Sequence, residues 1–445
     1  MAKQLFGTDG IRGVAGEYPL DAATVDAFGA ALGADLHARA PDASVLIGMD
    51  TRESGPWIAA QVAAGLAREH VPAIFAGVIT TPGIAWLTRS DSFTAGVMIS
   101  ASHNPYGDNG LKVFGHSGFK LPDDEEHAIE QEIMRRASDA AGEPLALAPD
   151  TALADRYLDY LAGTVHGPFG GMRIVLDCGN GAAFEIGPAL FRRLGADVTA
   201  ICDRPNGRNI NLDCGSLHVE SLRAAVLEKG ADLGVAFDGD ADRAIFVGRS
   251  GRVFDGDAVL LIAARALQAA GKLDGGMVVA TVMSNLGLER ALERDGISLL
   301  RTPVGDKYVL EEMVRAGAAL GGEQSGHVIF RQFATTGDGL LTALRILEIA
   351  RHAGAGLEEL TAGLEIYPQR LQNVRVRERR ALHELAAVAH EIEECQRAFG
   401  SSGRVLVRFS GTEPLARVMV EGPDAAQVDK FTGRIAAAIQ KEIGA

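Results

Sequence analysis

The fold is decided by the stretch Val97-Met98-Ile99-Ser100-Ala101-Ser102-His103-Asn104-Pro105, in which an apolar run typical of a buried strand breaks into small polar residues closed by Asn-Pro. A serine on such a turn is presented outward, where its hydroxyl can react. A second stretch, Phe237-Asp238-Gly239-Asp240-Ala241-Asp242-Arg243, ends another apolar run. Because alternate residues of an extended loop point the same way, its three carboxylates can converge on one hard divalent cation. Together the two stretches indicate phosphate chemistry at Ser102.

Each of these loops also has a simpler interpretation. A lone Ser-His-Asn-Pro sequence is often a capped turn, and three aspartates can form a solvated acidic turn. A calcium loop of the EF-hand type requires Gly at its sixth position and Glu at its twelfth. Here those positions hold Arg243 and Arg249, which excludes the EF-hand. An arginine directly after the third aspartate suits a neighbouring phosphate.

The length and charge of the chain limit what it can be. Its 445 residues are too many for one ordinary core and predict about three domains. A hydrophobic content of 47% with 23% charged residues is typical of a soluble globular protein. The net charge of −15 argues against a nucleic-acid or acidic-membrane partner. An anionic substrate must therefore be bound by local arginines and lysines.

Neither the start of the chain nor its cysteines indicate export. The first ten residues contain no apolar segment of signal-peptide length. The most apolar helix candidate, residues 258–270, is interrupted by Arg265 and is too short to span a bilayer. The cysteines are far apart and form no Cys-x-x-Cys pair: Cys178, Cys202, Cys214 and Cys395. We therefore expect a cytoplasmic protein with reduced thiols, rather than a disulfide framework or a zinc site.

A weak repeat of strand, Gly- or Ser-containing turn, helix and strand occurs three times along the chain, and this βαβ pattern predicts sheets covered by helices. The three units are residues 45–50, 57–69 and 73–79; residues 173–177, 183–194 and 197–202; and residues 277–282, 286–294 and 297–300. The last segment differs, with a helical pattern over 378–394, strands at 405–409 and 418–420, and a closing helix over 425–443. The polar stretch 365–372 is the expected linker to this smaller α+β unit.

Four motifs in order along the chain resemble those of the α-D-phosphohexomutases. Ala101-Ser102-His103-Asn104-Pro105 resembles their phosphoserine loop, and Asp238 to Arg243 resembles their magnesium loop. Gly322-Glu323-Gln324-Ser325-Gly326-His327 resembles their sugar-recognition loop. Arg408-Phe409-Ser410-Gly411-Thr412-Glu413-Pro414, followed by Arg417, resembles their phosphate-binding loop. The motifs span essentially the whole chain.

The resemblance implies a fold of three similar mixed α/β domains followed by a smaller α+β domain, arranged around a central cleft. The expected boundaries are 1–150 for the domain with the phosphoserine loop and 151–254 for the domain with the magnesium loop. The sugar-recognition loop is expected in 255–366 and the phosphate-binding loop in 367–445. The implied enzyme is an intramolecular phosphotransferase of the isomerase class, possible as a homodimer and acting on a small sugar phosphate, with no nucleic acid or membrane partner.

The resemblance also implies catalytic roles. Ser102 is expected to carry the phosphoryl group, with one Mg²⁺ per subunit held by the phosphoserine and three carboxylates: Asp238, Asp240 and Asp242. Arg243 is expected to contact phosphate. The other candidate catalytic residues are Arg12 near the N-terminus, Lys112 and His103 near the serine, and His327.

Substrate binding is expected at two further places. Glu323 and Ser325 are candidates for sugar selection, and Lys307 for a contact to the sugar phosphate. The phosphate that is not being transferred is expected to dock on the last domain, on Arg408, Ser410, Gly411, Thr412 and Arg417.

Three segments are most similar to the hexosamine-phosphate branch of the family: residues 5–13, the loop containing Gln324, and Thr335-Thr336-Gly337-Asp338-Gly339. The segment 330–334 is less typical of that branch. The implied reaction converts glucosamine 6-phosphate to glucosamine 1-phosphate through glucosamine 1,6-bisphosphate, and would supply UDP-N-acetylglucosamine for bacterial cell-wall precursors. The alternatives are a mutase of mannose or glucose phosphates, and a catalytically silent sugar-phosphate sensor. Retention of Ser102 and the three aspartates argues against a sensor.

Overall fold

This computed structural model describes residues 5–7, 9–91, 93–136, 141–410 and 414–445. The chain divides into two compact units, of which one holds the chain up to Met283 together with Ile297–Ala362. The other unit holds Ser284–Gly296 and Gly363–Ala445. The first unit contains three mixed sheets and the second contains one antiparallel sheet.

The first sheet has six strands in the order β1-β2-β6-β5-β3-β4, with β5, β3 and β4 parallel and the other pairs antiparallel. The apolar stretch of the serine motif forms its strand β5, all five residues of which are buried. The elements are β1 Phe6–Gly7, β2 Gly10–Val14, α1 Ala22–Arg39, β3 Val45–Met49, α2 Gly55–Arg68, β4 Ala73–Val78, α3 Thr81–Ser90, β5 Ala95–Ile99, β6 Asp108–Gly115, α4 Asp123–Arg136 and α5 Ala152–Gly163.

The second sheet has five strands in the order β11-β10-β9-β7-β8. Its strand β9 is a fully buried run that ends at the first aspartate of the acidic loop, and β10 returns antiparallel to it. The acidic loop is therefore the connection of a hairpin. The elements are β7 Arg173–Asp177, α6 Ala183–Arg193, β8 Asp197–Ile201, α7 Glu220–Lys229, β9 Leu233–Phe237, β10 Ala244–Gly248 and β11 Val253–Phe254.

The third sheet has four strands in the order β13-β12-β14-β15. The helix α11 (Gly339–Ala353) is capped by the preceding Asp338, whose carboxylate accepts from the Leu341 N–H. The elements of this stretch are α8 Gly256–Ala269, β12 Met277–Thr281, α9 Leu286–Arg294, β13 Ser298–Thr302, α10 Asp306–Ala316, β14 Leu320–Gly322, β15 Val328–Phe330, α11 Gly339–Ala353 and α12 Leu357–Leu360. Among these, α9 belongs to the second compact unit, where the Leu286 N–H donates to Glu421.

The antiparallel sheet of the second unit has the order β16-β18-β17. Its elements are β16 Gln369–Arg375, α13 Ala386–Phe399, β17 Arg404–Phe409, β18 Leu415–Glu421 and α14 Ala425–Ile443. The bounds of the predicted helix over 378–394 are wrong, because the helix begins only at Ala386, after a short 3₁₀ turn. The predicted linker 365–372 is also partly wrong, since its second half enters β16.

The predicted architecture of mixed α/β sheets followed by a smaller α+β segment is confirmed. The three predicted βαβ units are present as β3-α2-β4, β7-α6-β8 and β12-α9-β13, each with parallel strands, although α9 groups with the second unit. None of the described helices has both the length and the apolar character needed to cross a membrane.

A pair of glycines sets how closely α1 and α2 pack in the first unit. A Cβ placed on Gly65 would lie 2.2 Å from the Asp26 carbonyl oxygen, and one on Gly29 would lie 2.3 Å from the Val62 carbonyl oxygen. Both obstacles are backbone atoms of the facing helix, so they cannot rotate away. The two helices therefore pack with their backbones nearly in contact.

Gly65→Ala should destabilise the protein, because the added methyl group forces the two helices apart. Overpacking of this kind costs roughly 2–3 kcal/mol, or a fall in Tm of about 5 °C or more by calorimetry. Gly433→Ala is the control: this glycine lies inside α14 with nothing within 4 Å of an added Cβ, so the substitution should not lower Tm. An unchanged Tm for Gly65→Ala would contradict the close packing.

Candidate active site

Ser102 lies three residues beyond β5, in a backbone conformation that few serines adopt. Its φ is 51°, in the left-handed region. The outward presentation expected from the sequence is wrong, because the side chain of Ser102 is buried. Its N–H donates to the Ser100 hydroxyl at 2.9 Å, and its own hydroxyl donates to an Asp238 carboxylate oxygen at 2.5 Å. The structure therefore brings the serine of the first motif against the acidic loop of the second.

A buried arginine holds the serine loop in this conformation. The guanidinium of Arg52 donates to backbone carbonyls of the loop, those of Ser102, Asn104, Pro105 and Asp108. Its Nε lies 2.9 Å from the carboxylate of Asp50, and neither side chain is exposed. Asp50 also accepts from the Ser100 hydroxyl at 2.6 Å. The pair thus fixes the loop on both sides of Ser102.

A further clamp comes from the loop after β8 of the second sheet. The side-chain amide of Asn211 donates to the Ser102 carbonyl at 2.9 Å and to the Asn104 carbonyl at 3.3 Å. The motif analysis did not single out Asn211, Arg52 or Asp50. Asp50 and Arg52 had one signal in the sequence, since they directly follow β3, whose end lies beside the end of β5 in a parallel pair.

The three aspartates of the acidic loop converge as the alternate spacing predicts. Asp238, Asp240 and Asp242 each offer a carboxylate oxygen within 4.8 Å of the other two, and all three side chains are buried. Burial raises the pKa of Asp238 well above its usual range, and the neighbouring carboxylates Asp242 and Asp240 raise it further. Such crowding of negative charge favours a cation at this point.

The donor set fits a hard metal ion. One carboxylate oxygen of Asp240 and one of Asp242 are buried without a hydrogen-bond partner in the described residues. Unpartnered buried carboxylate oxygens are costly unless a cation or donor satisfies them, and oxygen ligands are those that hard divalent ions prefer. The buried acidic triad can therefore bind a metal.

Lys112 is the cation that the protein itself places among these carboxylates. Its Nζ lies 2.8 Å from Asp240, 3.1 Å from Asp9 and 3.7 Å from Asp242. Burial opposes its charge, but Asp240 and Asp9 outweigh burial and raise the pKa of Lys112 above its ordinary value. The side chain is therefore a fixed positive charge at neutral pH.

The N-terminal arginine and two unpredicted residues complete this side of the site. Arg12 pairs with Asp9 and donates to the Ala101 carbonyl at 3.4 Å, so it lies next to the serine loop. Thr81, at the start of α3, donates its hydroxyl to Asp240 at 2.5 Å and its N–H to the Asp240 carbonyl at 3.0 Å. Sequence analysis missed Asp9 and Thr81, because only the fold brings them to the acidic loop.

Arg243 and His103 lie on the two loops that meet. The backbone N–H of Arg243 donates to Asp238 at 3.1 Å, and its side chain Nε is 3.8 Å from Asp242. The Nδ1 of His103 is 3.2 Å from the Ser102 hydroxyl. Burial, then Arg243 and Arg12, lower the pKa of His103 to about 4, which leaves the ring neutral at pH 7.

His327 approaches the acidic loop from the third sheet. Its Nδ1 is 3.5 Å from Asp242, and its Nε2 accepts from the Gly337 N–H at 2.9 Å. Burial opposes protonation, whereas the nearby charge of Asp242 raises the pKa of His327. The Gly337 N–H opposes a proton on Nε2, because a protonated Nε2 cannot accept a hydrogen bond. We therefore take the tautomer with Nδ1–H facing Asp242 as the resting form.

The sugar-recognition candidates differ in the partners that the structure gives them. Glu323 follows β14 and accepts from the Gly305 N–H at 3.1 Å, and Ser325 has a buried hydroxyl without a hydrogen-bond partner in the described residues. Lys307 points elsewhere: its Nζ lies 2.5 Å from Asp123 and 3.9 Å from Glu126, both on α4. The structure thus engages Lys307 in ion pairs outside the acidic loop.

The phosphate-binding candidates belong to the second compact unit. Arg408 on β17 is directly opposite Arg417 on β18, and Ser410 follows β17 with its side chain buried. Burial, together with the charge of Arg417, lowers the pKa of Arg408. Two neighbouring guanidinium groups form a local positive patch. Gly411 and Thr412 lie outside the described residues.

Four family models match successive parts of the chain. Those for domains I, II and III of phosphoglucomutase/phosphomannomutase, described as alpha/beta/alpha domains, match residues 3–140, 155–251 and 255–367. The model for the C-terminal domain of the same proteins matches residues 371–438. The four-domain architecture is therefore that of this family.

Relatives and a solved structure agree with this. The chain is 66% identical to a phosphoglucosamine mutase of Solibacter usitatus, over 100% of both chains. It is 52% identical to a phosphoglucosamine mutase of Koribacter versatilis, covering 99% of this chain and 98% of the relative. The fold is similar to an Aspergillus fumigatus N-acetylphosphoglucosamine mutase in complex with GlcNAc-6P and magnesium, with a TM-score of 0.67, 20% identity, and coverage of 99% and 96% of the two chains. The chain therefore belongs to the α-D-phosphohexomutase family, within its phosphoglucosamine mutase group.

Proposed function

We propose that this enzyme interconverts glucosamine 6-phosphate and glucosamine 1-phosphate by phosphoryl transfer through Ser102. The observation that carries the proposal is the 2.5 Å contact between the Ser102 hydroxyl and Asp238 of the buried acidic triad. The choice of sugar is supported by the phosphoglucosamine mutases that match the full chain at 66% and 52% identity. The product would supply UDP-N-acetylglucosamine for cell-wall precursors, and we expect the reaction in the cytoplasm.

In this mechanism Ser102 alternately gives and takes one phosphoryl group. Phosphoserine 102 transfers its phosphoryl group to the free hydroxyl of the sugar phosphate, which gives glucosamine 1,6-bisphosphate. The bisphosphate then reorients, and its other phosphoryl group returns to the Ser102 oxygen. Atoms balance over the cycle, since the serine ends as it began and the sugar has exchanged one phosphate position for the other.

The acidic triad is proposed to hold one Mg²⁺ per subunit, with a phosphoserine oxygen as a further ligand. When bound, such an ion would neutralise charge on the transferring group. Lys112 supplies a fixed positive charge on the same side, because its raised pKa keeps it protonated. Arg243 and Arg12 are proposed to contact phosphoryl oxygens, and His103 and His327 to orient the reacting groups around the serine.

Substrate selection is proposed at separate places. Glu323 can accept from sugar hydroxyls and pair with the ammonium group of glucosamine, while Ser325 offers a buried hydroxyl without a partner in the described residues. The phosphate that is not transferred is proposed to dock on the positive patch and the sequence motif that includes it: Arg408, Ser410, Gly411, Thr412 and Arg417. Lys307 is also proposed to contact the sugar phosphate. For this contact its side chain must leave the ion pairs with residues of α4. A homodimer is proposed as the working assembly.

Ser102→Ala should abolish mutase activity and leave the fold intact, because the substitution removes only the carrier oxygen. Intact-protein mass spectrometry should show one phosphate on the purified wild type and none on the variant. In the mutase activity assay, the wild type should prefer glucosamine 6-phosphate to the glucose and mannose 6-phosphates. Full activity of the variant would contradict the carrier role, whereas a preference for mannose or glucose phosphate would leave that role standing and change only the substrate.

Asp240→Asn should lower kcat far more than substrate affinity, because the lost charge weakens the metal site that neutralises the transferring group. The loss of several kcal/mol corresponds to about a thousandfold or more in rate. Asparagine keeps an oxygen that can accept from Thr81, so the loop should keep its shape. Treatment of the wild type with EDTA should also remove activity, and added Mg²⁺ should restore it; full activity after chelation would remove the metal from the mechanism.

Arg52→Lys should lower kcat by about 10- to 100-fold with little change in KM, because an ammonium group cannot hold all four carbonyls and the serine loop shifts. Lysine keeps the charge beside Asp50, which avoids leaving a buried carboxylate unpaired. Arg208→Lys is the matched control, since Arg208 pairs with Glu53 at an exposed position nearby. A wild-type kcat for Arg52→Lys, with both variants folded by circular dichroism, would show that the clamp does not position the serine.

A further inference from the structure

A second cluster of ligating side chains lies outside the acidic triad. It combines Asp177 at the end of β7, Cys202 directly after β8, and Cys214 just before a short 3₁₀ turn. One carboxylate oxygen and the two sulfur atoms all lie within 4.8 Å of one another. The spacing of the cysteines in sequence predicted separate thiols, because it cannot show that the ends of two parallel strands and a returning loop meet.

The charge of this cluster lacks a protein counter-ion. Asp177 is completely buried, and the groups that act on it in the described residues are two backbone N–H groups and the Cys202 thiol, with no Lys, Arg or His among them. Its two carboxylate oxygens accept from the N–H groups of Gly179 at 2.9 Å and Gly215 at 3.0 Å. The Cys202 thiol also hydrogen-bonds to this carboxylate, and that contact is replaced when the thiol gives up its proton to bind a cation. A buried carboxylate held by two dipoles can therefore still bind a cation.

We propose that Asp177, Cys202 and Cys214 form a binding site for a thiophilic divalent cation of the zinc class. Thiolates are the soft ligands that select such ions, and hard ions such as Mg²⁺ avoid them. With metal–sulfur bonds of about 2.3 Å, tetrahedral geometry places two sulfur atoms about 3.8 Å apart. This distance is compatible with the two cysteine sulfur atoms, which lie within 4.8 Å of each other. Cys202 is partly exposed, so solvent can reach the ion and supply the fourth ligand.

Binding involves no oxidation or reduction. Each of the two thiols releases one proton to solvent as its sulfur–metal bond forms, and the carboxylate adds one oxygen–metal bond. The side-chain amide of Asn180 lies 3.7 Å from the Cys214 sulfur and would donate to that thiolate as an outer contact.

The site would connect to the serine loop through the chain between its two cysteines. Residues 203–213 join Cys202 to Cys214 and include Asn211, which donates to the Ser102 carbonyl. Cys202, Asn211 and Asp213 all have left-handed backbone conformations, with φ of 48°, 57° and 52°. A cation that ties both ends of this segment would hold Asn211 in place against the serine loop.

The test uses the full-length protein, reduced with a phosphine and freed of metal, and titrated with Co²⁺ and then Zn²⁺. The wild type should develop the near-ultraviolet sulfur-to-cobalt charge-transfer absorption. This absorption should disappear when Zn²⁺ displaces Co²⁺. Mass spectrometry of the zinc-loaded protein should find one zinc ion. Cys202→Ser and Asp177→Asn should weaken Co²⁺ binding at least tenfold. Cys395→Ser, which removes a buried cysteine of the other unit, and Asp240→Asn, which alters the acidic triad, should leave the charge-transfer signal unchanged.

Three results would overturn the proposal. They are an absence of charge-transfer absorption in the wild type, an unchanged signal in Cys202→Ser, and a signal lost in Asp240→Asn. Cys202→Ser is the decisive variant, because Cys202 is partly exposed and its substitution should not disturb the fold. Circular dichroism should be used to check that this variant is folded. Since the readout is absorption and metal content, the outcome does not depend on which sugar phosphate the enzyme converts.

Discussion

The buried ion pair between Asp50 and Arg52 is the interaction on which the candidate site depends. Serine does not ordinarily adopt a φ of 51°, and a turn of small residues has little apolar surface to hold it there. The guanidinium compensates by binding carbonyls of the turn, those of Ser102 and Asn104. The carboxylate fixes Ser100, whose hydroxyl accepts from the Ser102 N–H. Neither charge reaches solvent, so removal of either partner leaves the other buried and unpaired. Rigidity at the serine is thus obtained from polar groups rather than from hydrophobic packing.

Charge balance is the second constraint on the site. Four carboxylates, those of Asp9, Asp238, Asp240 and Asp242, lie around Lys112 and Arg243 in a chain whose net charge is −15. An anionic substrate therefore meets an unfavourable field overall and a favourable one only locally. The two kinds of charge have separate proposed tasks: the carboxylates would bind a metal ion, while Lys112 and Arg243 would attract phosphate.

Much of this could be predicted from sequence because the informative residues are adjacent in the chain. The alternation of Asp238, Asp240 and Asp242 encodes their convergence, and the break after Ile99 encodes the turn that carries the serine. The burial of Ser102 against Asp238 could not be predicted, because it depends on a second sheet. Asp9, Thr81 and Asn211 could not be predicted, since each reaches the site through strand order rather than through a motif. The helix predicted from residue 378 failed because charged residues there fit a helical pattern that α13 adopts only after Leu385. The proximity of Cys202 and Cys214 was missed for the same reason as Asn211.

Ser102 and Asp238 of the acidic loop are carried by different sheets and are 136 residues apart in the chain. During synthesis, the first sheet can form on the ribosome before the second has been made, because domains fold as units from the N-terminus. A nascent chain at that stage has Ser102 and its arginine clamp but has neither Asp238 nor Arg243. In the proposed mechanism such a chain would lack the metal site, so it could not exchange phosphoryl groups with sugar phosphates until β9 and β10 had emerged and folded. The division of the site between two sheets delays reactivity until most of the first compact unit exists.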